Sequence, residues 1–158
     1  MKRLLAGLAL VAALLSGCAG AFGSDVSAPP AVTQDVQDYA TSAGQITQAM
    51  GDSLNRVQTL MGNAQPDDPT WQQNLTKELA IWHQSYLQAQ ALRPPAKVAQ
   101  AHATFLQAMS SYNAAANDLQ AAIENQDASR FDAVKTELAA GSQQMAQAHQ
   151  QLQAEAAG

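Results

Sequence analysis

Residues 98–123 read VAQAHATFLQAMSSYNAAANDLQAAI. Within this stretch Val98, His102, Phe105, Met109, Tyr112, Ala116, Leu119 and Ile123 recur at alternating steps of four and three. That spacing draws one stripe along a helix, the face a helix buries against its neighbours. A half-buried strand would alternate every second residue, and no segment of the chain does so. Upstream, Val36, Ala43, Met50 and Val57 stand seven apart, with Tyr39, Ala40, Ile46, Leu54, Leu60 and Met61 filling the same seam. Trp71, Leu75, Leu79, Trp82, Tyr86 and Ala89 form a second stripe, and Phe131, Val134, Leu138, Met145 and Leu152 a fourth.

The breaks between stripes carry helix punctuation. Thr33 can cap the first helix. Asp68 followed by Pro69 reads as an N-cap with proline at the first helical position, where its missing N–H costs nothing. Arg93-Pro94-Pro95 ends the second helix, because a residue before proline is pushed out of the helical region. Pro95 can open the third helix, and Asn125, Gln126 and Asp127 form the last turn, with Asp127 as its cap. The connections are short, so neighbouring helices should run antiparallel. The expectation is an all-α, up-down-up-down four-helix bundle over 33–158, with helices at about 33–63, 69–92, 95–124 and 128–156.

Composition agrees. The chain has 158 residues, among them 34 Ala and 21 Gln, and only 13% are charged. Alanine has the best helix propensity and lets helices approach closely; glutamine wets an outer face without charge. Eight basic residues are too few to bind nucleic acid by neutralising phosphates. A single cysteine excludes a disulfide framework or a cysteine metal cage.

The first residues are of another kind. Met1-Lys2-Arg3 is a short basic start, and Leu4–Leu15 (LLAGLALVAALL) is apolar or small throughout. Twelve residues are too few to span about 30 Å of hydrocarbon, and the run matches the core of a secretory signal. It leads into Leu15-Ser16-Gly17-Cys18, where the chain's sole cysteine stands. This segment resembles the lipobox of bacterial lipoproteins. The resemblance implies a diacylglycerol on the Cys18 thiol, removal of 1–17, and an exported protein held on a membrane by its lipid. Ala19, rather than aspartate, implies the periplasmic face of the outer membrane in a two-membrane bacterium. In other bacteria the same anchor leaves the protein on the outer face of the cell membrane.

Residues 19–32 (AGAFGSDVSAPPAV) have no helical period, so 18–32 reads as the lipidated cysteine and a flexible tether, reaching about 20 Å. Loss of Lys2 and Arg3 with the signal leaves six basic against thirteen acidic residues, a net side-chain charge of −7. Such a body should stand off anionic lipid.

No enzyme motif is present: no HExxH, GxSxG, Gly-rich phosphate loop or CxxCH. The expected function is therefore non-enzymatic, a binding or structural module of the cell envelope with an envelope protein as possible partner. The histidines supply the alternative. If each hairpin folds about the middle of its connection, Met50, His83, His102 and His149 fall in one layer. His102 and Met50 then lie on their seams, His149 on the seam side and His83 on the flank. His102 and His149 with Met50 could hold copper or haem inside the bundle. Periplasmic b-type cytochromes are four-helix bundles with Met and His ligands, but those ligands come from outer helix ends, whereas Met50 is well inside its helix. The plainer reading makes the histidines neutral, partly buried and hydrogen-bonded; a pH-sensing role is the third.

Overall fold

A computed structural model describes residues 34–157. The expectations for the signal segment, Cys18, the tether and the Thr33 cap lie outside the described residues. Four helices follow in chain order: α1 (Gln34–Gly62), α2 (Pro69–Ala91), α3 (Ala99–Glu124) and α4 (Arg130–Ala157). A 3-10 turn, Ala96–Val98, precedes α3. Among the described residues there is no strand. The fold is an all-α four-helix bundle.

The hairpins are antiparallel in their hydrogen-bond order. Trp71 Nε1 donates to the Leu60 carbonyl at 2.8 Å near the first turn, while Trp82 Nε1 donates to Ser53 Oγ at 3.0 Å, farther from it. At the last turn, Arg130 meets Asp118 at 2.7 Å, and Ser111 donates to Gln144 at 2.9 Å deeper in the hairpin.

The helix ends follow local chemistry. Asp68 Oδ1 accepts from the Thr70 N–H at 2.8 Å with Pro69 next to it, satisfying one donor that the helix leaves open. α2 stops at Ala91, and Leu92 is extended. Pro95 does not open α3. It is itself extended and leads into the 3-10 turn, so α3 begins four residues later than expected. At the end of α3 the Asp127 N–H bonds the Ala122 carbonyl and the Gln126 N–H bonds that of Ile123, a Schellman closure. Gln126 takes the left-handed conformation this demands, at φ 53°. Asp127 then binds the backbone and hydroxyl of Ser129, and α4 starts at Arg130.

The stripes meet in one core. Val36, Met50, Trp82, Phe105, Met109, Leu119 and Val134 are all buried in it. Helices α3 and α4 form the closest pair. Alanines 101, 108, 115, 116 and 122 of α3 and Ala148 of α4 are buried. Gly141 of α4 packs against the Tyr112 ring so tightly that a Cβ there would stand 3.0 Å from Cε1.

Between α1 and α2 the closure is polar. Ser53, fully buried, accepts from the Trp82 indole and lies 2.8 Å from Glu78 Oε2 and 3.1 Å from the Glu78 carbonyl. Arg56 Nε meets the other carboxylate oxygen of Glu78 at 2.8 Å. Partial burial pushes the Glu78 carboxyl up, but the hydrogen bonds from Arg56 and Ser53 outweigh it and hold it below the usual range.

Two predictions follow from this packing. A Cβ at Gly44 or Gly51 meets nothing within 4 Å. Gly44→Ala and Gly51→Ala should each raise stability by about 0.5–1 kcal/mol in urea unfolding, because alanine costs the helix less. Gly141→Ala should instead lower it by about 1 kcal/mol, as overpacking against Tyr112 exceeds the propensity gain. Equal gains at all three sites would contradict the tight α3–α4 seam. Separately, Ser53→Ala should cost about 1–3 kcal/mol, since it strands the buried indole N–H of Trp82; an unchanged urea midpoint would contradict that.

Candidate functional site

The expected layer of Met50, His83, His102 and His149 does not form. His102 is buried, and its Nδ1 shares a 3.1 Å hydrogen bond with Tyr39 Oη. The two rings meet edge to face, with centroids 5.7 Å apart. Tyr39 lies eleven residues before Met50 on α1, about 16 Å along the axis at 1.5 Å per residue. Met50 therefore sits three turns from the level of His102, buried in the core. His83 is exposed and donates from Nδ1 to Asn113 Oδ1 at 3.0 Å, so it faces α3 eleven residues beyond His102. His149 is exposed, while its neighbour Ala148 takes the buried position.

Two physical causes account for the difference. The α2–α3 connection is extended at Leu92 and again at Pro95 before its 3-10 turn. The hairpin therefore does not fold about its midpoint, and α3 slides along α2. On α4, steps of three and four from Met145 fit either Ala148 or His149 before Leu152. The close α3–α4 approach favours the methyl group. The copper or haem set of His102, His149 and Met50 is thus not brought together. Among the described residues no group of three or more His, Cys, Asp or Glu could hold a metal ion.

The structure instead assembles a polar end. Tyr39 of α1 and His102 of α3 form its centre. Burial pushes the Tyr39 phenol up to about 12, and the nearby Glu155 carboxylate of α4 adds to this. Burial also lowers the His102 pKa. Both groups are neutral near pH 7, so Nδ1 can accept a hydrogen bond from the phenol O–H. Glu155 Oε2 and, one turn before it, Gln151 Oε1 are buried with no hydrogen-bond partner among the described residues.

Tyr39 also lines an open groove of about 430 Å³ at this end. One wall is the start of α1, with Asp35, Asp38 and Ser42; the other is the α2–α3 connection, with Leu92, Arg93, Pro94 and Pro95. Apolar periodicity placed Tyr39 and His102 on their seams. It gave no hint that they touch, nor that the Pro-Pro segment would form a wall.

Comparison with protein-family models, with curated proteins and with solved structures returns no match.

The buried histidine makes stability depend on pH. Its folded pKa is lowered, so the unfolded chain binds the proton more readily below about 6.5. Its contribution is complete above that pH and is lost as pH falls. Unfolding free energy should therefore drop between pH 7 and 5, by at most about 1.4 kcal/mol per pH unit for one proton. Glu137, raised by burial and by Asp118, works in the opposite sense: its contribution is present at low pH and is lost as pH rises through its folded pKa. His102→Gln should flatten the slope above pH 5.5 in urea titrations; an unchanged slope would contradict this assignment.

Proposed function

We propose that this chain is an exported, lipid-anchored, non-enzymatic module of the bacterial cell envelope, a helical bundle that binds an envelope component or acts as a spacer. The observation that carries the reading is the Leu15-Ser16-Gly17-Cys18 segment, with the only cysteine of the chain directly after a basic start and an apolar run. Among the described residues no helix is long and apolar enough to cross a membrane. Membrane attachment in this reading comes from acyl chains on Cys18, each buried methylene contributing about 0.8 kcal/mol.

The arrangement of the body supports a binding or spacing role over catalysis. Its buried titratable pair, Tyr39 and His102, is neutral and engaged with itself. Nucleophilic or acid–base work needs a group poised to exchange protons at the operating pH and within reach of a substrate. His83 bonds an asparagine on the outer surface, and His149 is exposed on another helix. The carboxylates closest to basic groups, Glu78, Asp118 and Asp132, staple helices or turns.

Expression of the full chain in a bacterium supplied with labelled palmitate tests the reading. The wild-type chain should carry the label and partition into detergent, and Cys18→Ala should lose the label entirely. An unlabelled wild-type chain, or a label that survives in Cys18→Ala, would remove the anchor.

A further inference from the structure

The groove at the start of α1 presents opposite charges on facing walls. Asp35 and Asp38 stand one turn apart and exposed on α1, and Arg93 stands exposed on the opposite wall. Among the described residues the ion pairs are Arg56–Glu78, Arg130 with Asp118 and Asp127, and Lys135–Asp132. Asp35, Asp38 and Arg93 take part in none of these. Leu92, Pro94 and Pro95 add an apolar strip beside Arg93. A volume of about 430 Å³ suits a small polar molecule with a short apolar part better than a single ion.

We propose that this groove takes the phosphoethanolamine headgroup of a membrane lipid. The phosphate meets Arg93, the ammonium meets Asp35 and Asp38, and the glycerol lies on Leu92, Pro94 and Pro95. Charge selects this occupant: the walls match a zwitterion, and a body of net charge −7 after loss of the signal repels anionic lipid. Position selects it too, through the anchored reading on which this proposal rests. Gln34 follows Cys18 by only sixteen residues. In that reading the groove, at the first two turns of α1, is the part of the bundle closest along the chain to the anchor. The two carboxylates add chemical selectivity, because a primary ammonium donates hydrogen bonds to them and a trimethylated choline cannot. Occupancy would hold the bundle with this end against the membrane.

Calorimetric titration of the full chain in non-ionic detergent at low ionic strength tests the proposal, with glycerophosphoethanolamine as the probe. Saturable one-site binding is expected, weakened roughly tenfold by Arg93→Gln and similarly by the double change Asp35→Asn with Asp38→Asn. Circular dichroism should show both variants as helical as the wild type. Glycerophosphocholine, ethanolamine and inorganic phosphate should each bind at least tenfold more weakly. No saturable binding overturns the proposal, as does phosphate binding as well as the headgroup (an anion on a lone arginine) or affinity unmoved by either variant. Palmitate labelling separates this from the anchored reading. An unlabelled Cys18 with intact headgroup binding would remove the anchor and support the groove, whereas a labelled chain without binding would remove the groove alone.

Discussion

The close approach of α3 and α4 is the constraint on which the other contacts depend. Five alanines of α3 and Ala148 of α4 are buried, and Gly141 leaves room for Tyr112 to lie against the α4 backbone. Two helices that meet through methyl groups leave little volume between them. The bulk of the core comes from larger side chains on other faces: Trp71 and Trp82 of α2, Tyr39 and Met50 of α1, and Phe105, Met109 and Leu119 of α3. The result is an asymmetric bundle, narrow along one seam and filled by large side chains along the others.

Large aromatics bring polar atoms with them, and the structure satisfies these atoms in specific ways. The Trp71 indole donates to the Leu60 carbonyl in the last turn of α1, which also accepts from the Asn63 N–H. The Trp82 indole needs Ser53, and Ser53 in turn faces Glu78 and its arginine. At the opposite end of α1 the Tyr39 phenol meets the His102 imidazole. Each bond joins two helices, so the same contacts that satisfy buried donors also set the register. Register in turn decides which residues share a layer. Tyr39 lies with His102, and Met50 lies three turns away.

The helical stripes were legible because a four–three alternation has few other meanings. The Asp68-Pro69 start of α2 was legible for the same kind of reason. Ser53 and Ser85, both buried among the apolar side chains, were legible in principle. Met50, Ser53 and Val57 follow the three–four step, and so do Trp82, Ser85 and Ala89; a search restricted to apolar residues passes over both serines. The choice between Ala148 and His149 was not legible, since either satisfies the spacing and only the tightness of the α3–α4 seam decides it. The slide of α3 along α2 was likewise hidden. It depends on the backbone angles of Leu92 and Pro95, and Pro-Pro forbids a helix without saying how far the chain travels before the next one begins. The groove is a product of that travel, so the charges of Asp35, Asp38 and Arg93 gained meaning only once the connection had a shape.

The anchored reading and the bundle's polar end make one physical picture. In the anchored reading the start of α1 follows the lipidated cysteine by only sixteen residues, and that is the end where Tyr39 and His102 are buried and Asp35, Asp38 and Arg93 stand exposed. In the same reading the negative charge of the body would keep it off anionic lipid. All of this depends on where the mature chain begins and what its first residue carries. Mass spectrometry of the amino-terminal peptide, from protein taken from its native membrane, tests that directly. The account predicts a chain beginning at Cys18 with diacylglycerol on the thiol. A chain that begins elsewhere, or a Cys18 with an unmodified thiol, would contradict it.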